Sequence, residues 1–264
     1  MVITAPDPAN TRPQRMGIFV AGVQKGGTSA LHAYLARHPD LNPGPRKELH
    51  FFDDETRDWR WPCDAAVDRL VPADARLRMD ATPVTLFWPG ALQRVARYNP
   101  WARLILIFRD PVERAWSHWC MEYARGEESL PFASALREGR QRLSALPSDA
   151  DAWRVFSYVE RGRYGAQLSR ALALFPRRQM LLLQSQDLAG DPDGILAQVA
   201  DFLGIARFGA VPPLRVNAKA DRPWPALPTE ADRALIMDEL NEDLALFARL
   251  SGLDVAGWGA AIPT

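Results

Sequence analysis

The sequence predicts an α/β fold: one domain built on a central, mostly parallel sheet of about four or five strands with helices on both faces. Two observations carry this. Strand-length apolar runs alternate along the chain with segments of helical spacing, and the run at Leu104–Phe108 is continuously apolar, as in a strand buried on both faces, with Gln179–Leu183 reading as another buried strand. A chain of 264 residues with 47% apolar content is long enough for one sizeable core. Residues 1–16, with three prolines, two arginines and no continuous apolar stretch, read as a flexible tail, and 17–264 as the domain.

The elements follow in order. The first strand occupies the apolar run that starts at Gly17 and ends at Gly22. Leu31, Tyr34 and Leu35 give Thr28–His38 a helical spacing that stops before Pro39. Residues 39–63 are rich in proline, charge and aromatics, which marks an ordered functional loop. Arg76–Thr82 reads as a short strand, Ala91–Tyr98 as a helix ended by Asn99 and Pro100, and Leu104–Phe108 as a buried strand ending in Arg109. Pro111 occupies a tolerated first-turn position in a helix running to about Tyr123. Residues 130–160 are helical with a break near Pro147, Tyr164–Phe175 is an amphipathic helix, and Gln179–Leu183 is another strand. Asp191, Pro192 and Gly194 introduce a helix over Ile195–Leu203. Five prolines make 212–228 a loop, and Thr229 caps a last helix to Leu250.

Composition excludes several classes. Lys plus Arg equals Asp plus Glu, so there is no footprint for a nucleic-acid partner. No segment reaches the ~18 to 20 apolar residues that span a bilayer, and the first residues fit neither a signal peptide nor an anchor, so the expected location is cytoplasmic. Cys63 and Cys120 lack metal-ligand spacing and read as packed thiols.

The chemistry starts in GVQKGGTS, Gly22 to Ser29, where the first strand breaks into a glycine turn. Gly22, Gly26 and Gly27 let the backbone turn its N–H groups inward, and Thr28 and Ser29 open a helix whose positive end faces the same point. Such a cradle takes a phosphate or sulfate. The chain has 29 arginines and three lysines, Lys25, Lys47 and Lys219, so a lysine kept in this loop implies a need for a compact point charge. The nucleotide-binding pattern GxxxxGK[ST] differs in register: with Gly22 and Gly27 as its outer glycines, Thr28 falls where the lysine belongs. An ordinary ATPase or kinase is therefore disfavoured, although the strand, loop and helix of a P-loop-type domain are kept.

A second segment is FRDPVERAWSHW, Phe108 to Trp119. Arg109 lies beyond the carboxyl end of a strand, where such sheets bind ligands, and Ser117 follows two helical turns on. An arginine fork and a hydroxyl suit a dianionic phosphate, while the alternative is an ion pair of Arg109 with Asp110 or Glu113. A third segment is KELHFF, Lys47 to Phe52.

Together these segments resemble the sulfotransferases that use 3′-phosphoadenosine 5′-phosphosulfate, and in wording they are similar to the heparan sulfate 3-O- and N-sulfotransferases. The resemblance implies that Lys25, Gly26, Gly27, Thr28 and Ser29 hold the 5′-phosphosulfate. It implies equally that Arg109 and Ser117 hold the 3′-phosphate. Glu48 inherits the role of catalytic base, with His50 as the other candidate, and Lys25 that of neutralising charge on the bridging oxygen. A carboxylate beside a partly apolar wall is expected to have a raised pKa. Lys219 and Arg222, in NAKADR, occupy the place of a loop over the nucleotide. The product is adenosine 3′,5′-bisphosphate, and since the departing group is already an activated mixed anhydride, no metal is required.

Where heparan-type enzymes carry a lysine before Thr/Ser-Pro, this chain reads Asp80, Ala81, Thr82, Pro83. That departure argues for a metabolite, glycolipid or natural-product hydroxyl over an extracellular sulfated polysaccharide. Trp59, Trp61, Trp88 and Trp101 flank the cleft segments and read chiefly as core or lid packing, with a stacking wall for a sugar or apolar acceptor as the alternative, and His118, beside Ser117, is a lesser candidate to face that acceptor. The rival readings are a nucleotide kinase or NTPase and a non-catalytic nucleotide-binding protein.

Overall fold

The computed structural model describes residues 15–60, 64–72, 74, 76–209, 212 and 224–260. Five strands form one sheet: β1 (Ile18–Gly22), β2 (Leu41–Asn42), β3 (Leu77–Asp80), β4 (Arg103–Phe108) and β5 (Met180–Gln184), in the order β2-β3-β1-β4-β5. Every pairing is parallel. Among the described residues ten α-helices connect and cover them: α1 (Thr28–Leu35), α2 (Asp64–Leu70), α3 (Ala91–Tyr98), α4 (Pro111–Arg125), α5 (Phe132–Ser144), α6 (Ala152–Phe156), α7 (Tyr164–Leu174), α8 (Ser185–Gly190), α9 (Pro192–Leu203) and α10 (Glu230–Ser251).

The continuous apolar character of the strands has a direct cause. Phe19, Ala21, Leu104, Leu106 and Phe108 point into one core with α3, α4, α7 and α10, whereas Ile18, Val20, Ile105 and Ile107 point into a second with α1 and α9. With both faces covered, most strand positions are apolar, and the buried polar ones are hydrogen-bonded: Arg78 donates to Val71 O, Asp80 accepts from Leu49 N–H, and Gln184 donates to Asp254 O.

Three elements depart from the sequence reading. The loop 39–63 contains the edge strand β2, fixed by Leu77 N–H donating to Asp40 O at 2.8 Å. Helices α2 and α8 stand where no helix was expected. Met16, assigned to the tail, is buried; its N–H donates to the Tyr98 hydroxyl at 2.8 Å, and Asn99 Nδ2 donates to its carbonyl at 3.0 Å. The segment 212–228 lies largely outside the described residues, and so do Trp61 and Cys63. Cys120 is buried in the core, as a packed thiol should be. Among the described residues no helix is long and apolar enough to cross a membrane.

The topology locates the ligand crevice. From β1 the chain moves outward to β2, returns to β3, and crosses to β4 on the other side, so its direction reverses about β1. In an open parallel sheet the crevice lies beyond the carboxyl ends of the strands at such a reversal. The turns after Gly22, Asp80 and Phe108 all open there.

Candidate active site

The glycine loop after β1 lies against β4. Val23 N–H donates to Ile107 O at 2.9 Å, and Gly26 N–H closes back on Val23 O at 2.9 Å. A Cβ on Gly26 would sit 2.4 Å from Ile107 O, a backbone atom that cannot yield, so only glycine fits. Gly27 (φ 103°) and Lys25 (φ 67°) both occupy the left-handed region, which costs Lys25 strain that a non-glycine residue bears only when its surroundings impose it. Gly27 provides no side-chain cap for α1, leaving N–H groups of the first turn for an anion.

The charge around the cradle is weighted to the positive side, with Glu122 acting against it. Burial lowers the Lys25 pKa, and the neighbouring Arg125 and Arg109 lower it further. Its Nζ lies 3.7 Å from Met121 Sδ. The donor set therefore fits a phosphosulfate: glycine backbone, helix terminus and a lysine crowded by cations whose repulsion an anion would relieve.

Arg109 leaves β4 at the same edge. Asp110 caps α4, with Oδ1 accepting from Val112 N at 2.8 Å and Glu113 N at 3.2 Å, and this fixes where Arg109 and Ser117 stand on the helix. The Arg109 carbonyl accepts from Tyr164 Oη at 2.9 Å, and its Nε donates to Glu113 Oε2 at 2.7 Å. The ion pair weighed from the sequence is thus formed, by the guanidinium edge at Nε. Ser117 is half-buried on α4.

The third segment approaches from β3. Leu49 N–H donates to Asp80 Oδ1 at 3.3 Å and His50 N–H to Thr82 Oγ1 at 3.4 Å, while Phe51 and Phe52 are buried against Phe19 and Trp59. Beside these anchors Glu48 (φ 61°) and His50 (φ 52°) adopt left-handed backbones, and their side chains belong to one ion-pair chain. Lys47 Nζ pairs with Glu48 Oε1. His50 Nε2 stands 3.4 Å from Glu48 Oε2 and its Nδ1 2.8 Å from Asp53 Oδ2, which also accepts from Arg154 Nη1 at 2.7 Å.

This chain corrects the expectation of a raised Glu48 pKa. Burial does push the carboxyl up, but hydrogen bonds from His50 and Lys47 outweigh it and hold the group at about 2. His50 moves the opposite way: its hydrogen bonds to Asp53 and Glu48 raise it to about 9.

Other expectations resolve as follows. His118 does not face an acceptor: it is fully buried, its Nε2 lies 3.3 Å from Arg154 O, and burial with Arg161 and Arg114 drives its pKa far down. Trp88 is buried with its Nε1 donating to Glu55 Oε1 at 2.7 Å, and Trp59 packs on Phe51 and Phe52. Trp101 is 77% exposed just before β4, at the strand end away from the crevice, and belongs to no wall. Lys219 and Arg222 lie outside the described residues.

Sequence reasoning missed Arg161. This buried residue donates from Nη1 to Gln24 Oε1 at 2.6 Å and from Nε to Ser157 Oγ at 2.8 Å, so it grips the residue beside Lys25. Its only signal is its place in ERGRYGAQL, just ahead of the YGAQL helix start.

A family model described as a sulfotransferase domain matches residues 16–211. Human heparan sulfate glucosamine 3-O-sulfotransferase 3B1 is 33% identical over 191 residues, 72% of this chain and 46% of that protein. Human bifunctional heparan sulfate N-deacetylase/N-sulfotransferase 3 is 28% identical over 202 residues, 71% of this chain and 22% of that protein. The chain thus spans about half, or less, of the length of these curated relatives. Among solved structures, a sulfotransferase from Alicyclobacillus acidocaldarius is similar with a TM-score of 0.73 and 27% identity, covering 94% of this chain and 98% of that one.

Proposed function

We propose, since the chain belongs to the sulfotransferase domain family, that it moves a sulfuryl group from 3′-phosphoadenosine 5′-phosphosulfate to a hydroxyl, or an amine, of a small-molecule, glycolipid or glycan acceptor. The observation that carries the reading is the convergence of Lys25, the open N-terminus of α1 and Arg109 at the carboxyl ends of β1 and β4. The donor supplies the sulfuryl group as an activated mixed anhydride. Gly26, Gly27, Thr28 and Ser29 hold its 5′-phosphate end, and Lys25 offsets charge gathering on the bridging oxygen. Arg109 and Ser117 read the 3′-phosphate, and Lys219 and Arg222 are assigned to the nucleotide on the sequence resemblance.

Glu48 is the base. A carboxylate held at about 2 is weakly basic, yet always ionised. That suffices when proton transfer is late, because the acceptor oxygen's proton becomes strongly acidic as the new O–S bond forms. His50 steadies the carboxylate through its Nε2 edge.

Calorimetric titration with adenosine 3′,5′-bisphosphate, and separately with ATP and magnesium, tests the donor. Micromolar binding of the bisphosphate with weak binding of ATP is expected, and the reverse result moves the protein to the kinase reading. Lys25→Ala should abolish transfer while Arg109→Ala mainly raises the donor requirement; wild-type turnover in the Lys25 variant refutes the assignment.

A further inference from the structure

Beside the crevice lies a cavity of about 360 Å³, a volume suited to a drug-sized organic ligand. Its walls include Leu86, Phe87, Trp88, Leu92 and Trp153, with Ser148 and Gln93 exposed at its rim. None of its lining residues is a carboxylate, and Arg170 is its one charged lining group.

Three contacts tie this cavity to both halves of the site. Leu86 packs on Gly22, where a Cβ would come within 2.8 Å of Leu86 Cδ2, so one wall rests on the root of the donor loop. The Phe87 ring lies 4.8 Å from the Arg161 guanidinium, which in turn grips Gln24. The Trp88 ring lies 3.8 Å from the Arg154 guanidinium, which holds Asp53, the partner of His50. All three wall residues lie at or just after the end of the turn Pro83–Leu86 that leaves β3.

We infer that this cavity is the acceptor subsite and that the acceptor is an alcohol or phenol with an uncharged apolar body, ring- or chain-like, rather than a polyanionic glycan. The inference rests on the sulfotransferase reading above. A polyanion needs several cations along its path, whereas aromatic and aliphatic walls with polar groups confined to the rim suit an apolar body. With that body seated between Trp88 and Trp153, the hydroxyl is left for the polar side of the wall, where Arg154 and Asp53 lead to His50 and Glu48. The acceptor oxygen then supplies the electron pair of the new O–S bond, the bridging S–O bond breaks with its pair passing to the 5′-phosphate of the departing bisphosphate, and the hydroxyl proton goes to Glu48.

The test uses the full chain, 2-naphthol as the apolar probe and a heparan sulfate oligosaccharide as the polyanionic one. Calorimetry measures naphthol binding with and without adenosine 3′,5′-bisphosphate, and transfer is followed with the sulfated donor. Micromolar naphthol binding is expected, together with transfer to naphthol in preference to the oligosaccharide. Ser148→Trp, which fills the mouth from an exposed position, should weaken naphthol binding and raise its KM about tenfold or more, with bisphosphate affinity unchanged. Gln93→Trp, on the opposite rim, provides the same test should the first variant fold poorly. Absence of naphthol binding, equal binding in the rim variants, or preferential sulfation of the oligosaccharide overturns the inference. Failure of the wild type to bind the bisphosphate while naphthol still binds sinks the donor reading and with it the acceptor role, and leaves the cavity only as a site for an apolar ligand.

Discussion

Glu48 and His50 hold opposite charges locked across 3.4 Å, and the pH behaviour of the protein should report this. With the carboxyl at about 2, Glu48 stays ionised through the acidic range, so kcat/KM should show no acid limb between about pH 5 and 7. His50→Gln removes one of the two groups that lower Glu48, and His50→Gln with Lys47→Met removes both and leaves burial to raise the carboxyl, so an acid limb should move into measurable range in the double variant; a profile that stays flat there refutes the coupling. The sign for stability is opposite. A histidine raised to about 9 stabilises the fold fully below its unfolded pKa of about 6.5, and that contribution fades as pH rises through about 9. A second residue-scale test concerns Arg161, whose described hydrogen bonds go only to neutral groups: Gln24, Ser157 and the carbonyls of Trp153 and Arg154. Gln24→Glu supplies this buried cation with a counter-charge but sets a carboxylate beside Lys25. The urea midpoint should therefore rise while bisphosphate affinity falls, and a variant in which both move the same way contradicts the arrangement. Lys25, Glu48 and Arg109 were legible in the sequence because each lies within a short chemically distinctive segment. Arg161 and Arg154 were not, because their partners Gln24 and Asp53 are 137 and 101 residues away.

Among the elements, legibility followed length and burial. β4 and β5 were read from continuous apolar runs, and α10 from its cap at Thr229, where the reciprocal capping box with Asp232 is formed. β2 has two residues, too few for any period to show, and it exists only because Leu77 meets Asp40 across the edge of the sheet. Helix α2 is also short, and its place is set by packing, since Val67 is buried in the main core. The element that matters most for function is α4, because its first turn sets Arg109 and its second carries Ser117. Asp110→Ala removes the cap and also a carboxylate that accepts from Gly259 N–H, so it should destabilise the protein by about 1–2 kcal/mol. Urea unfolding checks this: the midpoint should drop at constant slope. An unchanged midpoint shows that tertiary packing alone fixes the helix start.

At the scale of the whole molecule, zero net charge conceals a separation that composition cannot reveal. The parallel sheet brings Lys25 from the β1 loop and Arg109 and Arg125 from the two ends of α4 close enough that both arginines depress the lysine, after burial has done the larger part. Glu122 and Glu113 pair with the two arginines, yet their balance still depresses Lys25, as suits a ligand of opposite sign. The consequence is a proton linkage. In the unliganded protein at alkaline pH a fraction of Lys25 is neutral, whereas an anion seated in the cradle favours the ammonium, so binding must draw a proton from solution. Bisphosphate affinity should consequently decline as pH rises through the depressed Lys25 pKa. Calorimetry at alkaline pH in two buffers of different ionisation enthalpy measures the uptake directly, as a difference in apparent binding enthalpy. Lys25→Gln should abolish that difference while retaining weaker binding through the backbone cradle and Arg109. Uptake that persists in the variant would assign the proton to another group, with His50 first in line, and would remove Lys25 from contact with the anion.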